Sequence, residues 1–205
     1  MVAYVIVAII AYALGSISFS VIFSRKFAGF DVREKGSKNA GTTNVLRTVG
    51  KKAAAITLVC DILKGVVSVL IAIIVGSIWK DLDMGLLKYL AGFMAIIGHT
   101  FPIFFGFKGG KGVATALGVL LTIDPIIGLI CLVFAIILIA ITRMVSVGSI
   151  LAAILFPVLN LFIGKNNTVI TIVMSILIGL LIIFNHRKNI QRIREGNENK
   201  LSFKK

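Results

Sequence analysis

The sequence predicts an all-α polytopic membrane protein of about seven transmembrane helices, with its N-terminus outside and its C-terminus in the cytoplasm. Three observations carry that prediction. Hydrophobic residues make up 58% of the 205, with a mean hydropathy of +1.04, a membrane composition rather than a soluble one. These residues gather into seven runs, most of them near the roughly 20 residues a helix needs to cross a bilayer. The basic residues fall between the runs and mostly on one side, as the positive-inside rule requires.

The first run is 2–24. Ala11-Tyr12-Ala13 resembles a leader cleavage site, but no basic residue precedes the run, and Arg25 and Lys26 follow it. That favours an uncleaved first helix whose N-terminus lies outside. Runs 53–79 and 85–106 follow. Run 112–123 is short, and its length gives only about 18 Å of helix, so it reads as tilted or half-spanning. Asp124-Pro125 reads as the turn that opens run 125–142. Runs 146–163 and 167–184 complete the set. With no internal repeat and no low-complexity linker, residues 1–205 read as one domain.

The formal net charge is +14, from 22 Lys and Arg against 8 Asp and Glu. With seven crossings and the N-terminus outside, 18 of the 22 basic residues are cytoplasmic; Lys80, Lys88 and Lys165 are outside and Lys64 lies within a span. Pairing 112–123 with 125–142 as a re-entrant hairpin leaves that parity unchanged. The loop 25–52, the loop before 112 and the tail then share the cytoplasmic face. The excess suits anionic head groups and anionic substrates. It does not suit nucleic acid, because the basic residues sit between membrane segments. Cys60 and Cys131 lie in apolar runs and read as packing residues, with no CxxC or Cys/His metal cluster.

Three polar stretches carry the candidate chemistry. The middle one, GHTFPIFFGFKGGKGVAT (98–115), holds Lys108, Gly109, Gly110, Lys111 and Gly112 in succession. Glycines let successive N–H groups converge on an anion, and a helix beginning in GVAT adds partial positive charge. Two lysines make this a phosphate-binding candidate; the alternative is a basic turn capping a membrane helix. It is not a Walker A loop, since the GxxxxGK[ST] spacing fails. His99 ends the preceding run and caps or orients the loop.

The first loop, DVREKGSKNAGTTNVLRTVGKK (31–52), supplies Ser37, Asn39, Thr42, Thr43 and Asn44 as hydrogen-bonding groups and Arg47 as a planar fork for phosphate. A merely solvated basic loop explains the charge but not this density of Gly, Ser, Thr and Asn. Asp61 and Lys64, i,i+3 on one helix face, lie roughly 13 Å into the second span. Ionisable groups there must pair or face a polar cavity, so structural and functional readings both stand. In the tail, NHRKNIQRIREGNENK (185–200), His186, Asn189 and Ile193 share a helical face. A basic tail also suits a lipid-contacting helix.

GSKNAGTTNVLR, GHTFPIFFGFKGGKGVAT and HRKNIQRIREGNENK resemble, in order, the three motifs of the acyl-phosphate-dependent glycerol-3-phosphate acyltransferases, the PlsY family. The resemblance extends to length, spans and sidedness. One departure is visible: the family commonly carries GSGN, and Lys38 stands here for the second glycine, which would tolerate positive φ, so the departure leaves the backbone conformation at that position open. The resemblance implies a bacterial plasma-membrane enzyme that moves a fatty acyl group from acyl phosphate to the sn-1 hydroxyl of glycerol 3-phosphate, leaving 1-acylglycerol 3-phosphate and phosphate. It implies catalytic parts for Ser37, Arg47, Lys111, His186 and Asn189. Substrate or phosphate contacts are implied for Asn39, Asn44, Lys108, Gly109, Gly110, Gly112 and His99. Asp61 and Lys64 fit the family pattern DxxKG as structural polar residues, and Glu198 has a structural part. No cofactor and no metal are expected; the partners are the two substrates and the lipid bilayer.

Rival classes fit less well. A CDP-alcohol phosphotransferase needs an aspartate cluster, and the acidic residues here are scattered. An HxxxxD acyltransferase needs an aspartate five residues after a histidine, where Phe104 and Gln191 stand. A transporter would place its polar groups at the midplane of an inverted repeat.

Overall fold

The computed structural model describes residues 1–165 and 167–201. Among them every regular element is helical. The seven apolar runs all form helices, but five are long and apolar enough to cross a membrane, and six if one bent pair counts as a span. Two fall short on length alone: α6 (Val113–Ile123), whose 11 residues reach about 16 Å against a hydrocarbon core of about 30 Å, and the 17-residue helix Val169–Asn185, which qualifies only together with the bent Arg187–Arg194. The chain packs as two compact units, Met1–Ile123 and Asp124–Lys205.

In the first unit, α1 (Val2–Gly15) breaks at Ser16 and resumes as α2 (Phe19–Ala28), together a span of 27 residues. The first loop then turns through a short 3-10 segment, Val32–Glu34, into α3 (Thr42–Thr48). Helices α4 (Lys51–Ile78) and α5 (Met84–Thr100) and the short α6 complete the unit. Helix α1 packs on α5, and α4 packs on α6 and α5. Both principal contacts are backbone to backbone. A Cβ on Gly15 would meet the Ala95 carbonyl and one on Gly98 the Tyr12 carbonyl; Gly65 and Gly118 meet the carbonyls of Thr115 and Ile62 in the same way. Lipid tails are as apolar as leucine, so close approach through small residues is what makes helices associate. Val7, Ala11, Ala72, Leu87 and Ala91 fill one core. Val21, Val32, Ala40, Val45, Ala53 and Ala54 fill a second beneath the first loop, which is therefore a packed element.

In the second unit, Asp124 caps α7 (Pro125–Thr142) by accepting from the N–H groups of Ile126 and Ile127, with Pro125 in the first turn. Arg143 ends α7 at φ 60°. Helix α8 (Val145–Ile163) meets α9 (Val169–Asn185) through Asn160, whose amide donates to Thr171 O and Ser175 Oγ, both at 3.3 Å. Helix α10 (Arg187–Arg194) leaves α9 at a bend of 58°.

Candidate functional site

The first loop is organised by one buried side chain. Asn44, on α3, donates from Nδ2 to the carbonyls of Val32 (2.8 Å), Lys35 (3.0 Å) and Asn39 (3.1 Å), and its Oδ1 accepts from the Ser37 N–H at 3.0 Å. The Asn44 amide thus bonds the loop backbone, and the residue is 2% exposed. The result is presentation of Ser37, which stands exposed between two left-handed residues, Gly36 at φ 60° and Lys38 at φ 56°. Lys38 thus adopts the conformation that the usual glycine favours, at a cost of about 1–2 kcal/mol. Asn39 is half-buried, and Arg47 is exposed in the last turn of α3.

The Gly-Lys loop is tied back to the end of α5. Gly109 N–H donates to Thr100 O (3.1 Å) and Gly110 N–H to His99 O (3.0 Å). These two N–H groups thus bond the end of α5. Neither position has room for a side chain: a Cβ on Gly109 would meet the His99 and Thr100 carbonyls, and one on Gly110 the His99 ring and the Ala40 carbonyl. Gly112, at φ 83°, turns the chain into α6. Lys108 is exposed, and Lys111 is half-buried just before α6 begins.

His99 stands under this loop. It is 7% exposed, with Nε2 against Gly110 and Nδ1 3.5 Å from Asp61 Oδ1. Its ring stands behind Gly110. Asp61 pairs with Lys64 at 2.9 Å, and Lys64 Nζ also donates to Gly15 O and Ile17 O, each at 3.0 Å. A buried charge pair persists only with partners on every side. Here those partners are the carbonyls freed where the first span breaks.

Sequence reading missed Asp31 and Arg33. Arg33 grips Asp31 with two parallel bonds, Nε to Oδ1 at 2.9 Å and Nη2 to Oδ2 at 2.8 Å. Its Nη1 donates to Phe105 O (2.7 Å) and Lys108 O (3.1 Å) across the Gly-Lys loop. Arg25 adds a third arm to Asp31 at 3.0 Å. The Arg33 hydrogen bond holds the Asp31 carboxyl well below its usual 3.8, at about 2, although burial pushes it up. Asp31 in turn raises Arg33. The available signal was an aspartate two residues before an arginine in a loop otherwise rich in base.

In the second unit, His186 ends α9, buried, with Nδ1 2.8 Å from Ile182 O. A carbonyl only accepts, so the proton sits on Nδ1 and Nε2 is the basic nitrogen of the neutral ring. Asn189 Nδ2 donates to Glu198 Oε1 at 2.7 Å, Ser146 Oγ donates to the same oxygen at 2.9 Å, and Arg192 Nε donates to Oε2 at 2.9 Å. Burial raises the Glu198 carboxyl, but these three donors outweigh it and hold it below its usual value. Glu198 thus pins the tail to α8 and α10 and fixes the Asn189 amide.

Comparison with known proteins follows the same residues. Positions 5–196 match the family described as glycerol-3-phosphate acyltransferase, through both units. The glycerol-3-phosphate acyltransferase of Clostridioides difficile (strain 630) is 43% identical over 202 residues, covering 98% of this chain and 97% of that one. The enzyme of the same description from Halalkalibacterium halodurans is 44% identical over 199 residues, covering 95% and 94%. The crystal structure of PlsY, an integral membrane glycerol 3-phosphate acyltransferase, in its glycerol 3-phosphate form superposes with a TM-score of 0.87 at 40% identity, over 97% of this chain and 96% of that one. Its lysophosphatidic acid form gives 0.84 at 38% identity, over 97% and 95%. The chain therefore belongs to the glycerol-3-phosphate acyltransferase family.

Proposed function

We propose that this chain transfers a fatty acyl group from acyl phosphate to the sn-1 hydroxyl of glycerol 3-phosphate, at the cytoplasmic face of a bacterial plasma membrane. The observation that supports it most is the junction of two motifs. Arg33 ties the loop bearing Ser37 to the loop bearing Lys108, and Ala40 O packs on Gly110. Both substrates carry phosphate, so their meeting requires cations. Arg47, Lys108 and Lys111 supply them, as a planar fork and two point charges. The N-terminus of α6, entered through Gly112, adds partial positive charge.

The chemistry needs little covalent help. Acyl phosphate is a mixed anhydride with a good leaving group. The glycerol hydroxyl oxygen bonds to the acyl carbon, the bond from that carbon to the phosphate oxygen breaks, and phosphate leaves with the electron pair. Two acceptors are competent for the hydroxyl proton, an oxygen of a substrate phosphate and His186 Nε2. Asn189 belongs to the proposed residue set. Ser37 orients substrate and carries no acyl group. Positioning and charge stabilisation supply most of the acceleration.

The test has two parts. With palmitoyl phosphate and glycerol 3-phosphate, the product should carry its chain at sn-1, and Ser37→Ala should slow turnover by about 10²-fold. With glycerol 3-phosphate withheld, intact-protein mass spectrometry should show no adduct. A hydroxylamine-sensitive acyl group on Ser37, formed as fast as turnover, would make the mechanism ping-pong and end this reading.

A further inference from the structure

We infer that Arg33 is a positioning residue for the acyl transfer: with Asp31 it clamps the turn from Phe105 to Lys108 and so holds Lys108 for a substrate phosphate. The inference rests on the phosphate-binding part proposed above for Lys108.

The turn has few anchors of its own. Phe104, Gly106, Phe107 and Lys108 are all exposed. Gly106 and Phe107 are successive left-handed residues, at φ 66° and 58°, and a phenylalanine in that region costs energy that its surroundings must offset. Within the turn, the N–H groups of Phe105 and Phe107 reach only back to Pro102 O, at 3.1 and 2.9 Å. The Phe105 side chain packs on the core beneath the first loop; the polar tie to the rest of the unit is Arg33, which takes the carbonyls at both ends of the turn on one nitrogen.

Arg33 is also poorly placed to be a phosphate ligand itself. Its guanidinium has five N–H donors. Four are accounted for by Asp31 Oδ1, Asp31 Oδ2, Phe105 O and Lys108 O. A bidentate grip on phosphate would break this arrangement. Asp31 is the counterweight: it is buried, and it also accepts from the Arg33 N–H at 3.0 Å and from Arg25. Lysine cannot replace the fork, because an ammonium is a point donor without the planar geometry that meets a carboxylate and two carbonyls together.

The experiment is a mutant cycle on the purified full chain with palmitoyl phosphate and glycerol 3-phosphate. The variants are Arg33→Ala, Arg33→Lys, Lys108→Ala and the double variants. KM for each substrate, kcat and the unfolding midpoint in detergent are measured. Arg33→Lys keeps the charge and serves where Arg33→Ala does not fold. Lys108→Ala should raise one of the two KM values, and that KM is the readout. Either Arg33 variant alone should raise it about tenfold with a smaller change in kcat, as coupled neighbours do. In the Lys108→Ala background the same change should add less than about twofold. Effects that multiply in full would overturn the inference and leave the Lys108 reading intact. So would a wild-type KM in Arg33→Lys, whatever its unfolding midpoint. An unchanged KM in Lys108→Ala would overturn the Lys108 reading and this inference with it.

Discussion

Lys64 donates from Nζ to the carbonyl of Gly15 at 3.0 Å, where the first span unwinds. The same ammonium meets Ile17 O and pairs with Asp61. A broken helix at membrane depth leaves carbonyls that hydrocarbon cannot satisfy, and Lys64 supplies the donor. Lys64→Met removes that donor and strands the Asp61 carboxylate, which is 1% exposed. The expected loss is about 3–5 kcal/mol. The double variant Asp61→Asn/Lys64→Met should lose less than the two single variants summed. Unfolding midpoints in detergent check this; an unchanged midpoint in Lys64→Met would show that the pair does not hold the break.

Gly110→Ala places a methyl group against the His99 ring and the Ala40 carbonyl at once. Neither the ring, packed near Asp61, nor the backbone has room to give. The loop carrying Lys108 and Lys111 should shift, and activity should fall by about tenfold or more, since small displacements of positioning groups cost that much. Steady-state kinetics at several glycerol 3-phosphate concentrations measures it. Full activity would mean that the loop does not depend on this contact.

Asp31 gives a pH signature. Its carboxyl lies at about 2 instead of 3.8. A carboxyl depressed by folding stabilises the fold in its ionised form, so its contribution is full above the unfolded value and is lost as pH falls through the folded one. Asp31→Asn should therefore lower the unfolding midpoint near neutral pH. The gap to the parent protein should close as pH falls from 3.8 toward 2. A gap that stays constant over that window would contradict the Arg33–Asp31 account.

Much of this was legible in the sequence. The apolar runs became helices, Asp124-Pro125 opened α7, and 112–123 formed the short helix that its length indicated. The GSGN departure left the backbone at Lys38 open, and it is left-handed. The break in the first span was not legible, because Gly15-Ser16-Ile17-Ser18 reads as continuous membrane segment; its donor, Lys64, comes from a helix distant in sequence. Arg33 was hidden among basic residues that the positive-inside rule already explained. The bonds from Asn44, Gly109 and Gly110 to backbone carbonyls were not legible either, because which carbonyl an N–H meets depends on tertiary packing, which composition does not encode.

The charge split predicts sidedness. A reporter active only in the cytoplasm should give signal when fused after Lys205 and none when fused before Met1, because 18 of 22 basic residues then lie inside. The opposite pattern would invert the orientation and place the Ser37 and Lys108 loops outside.

The donor panel tests the central claim most directly. Purified protein is given glycerol 3-phosphate with palmitoyl phosphate, palmitoyl-CoA or palmitoyl carrier protein in parallel, and lysophosphatidic acid is followed over time. The account predicts product with palmitoyl phosphate alone. Product from palmitoyl-CoA or palmitoyl carrier protein at a comparable rate, with no acyl phosphate present, would contradict it.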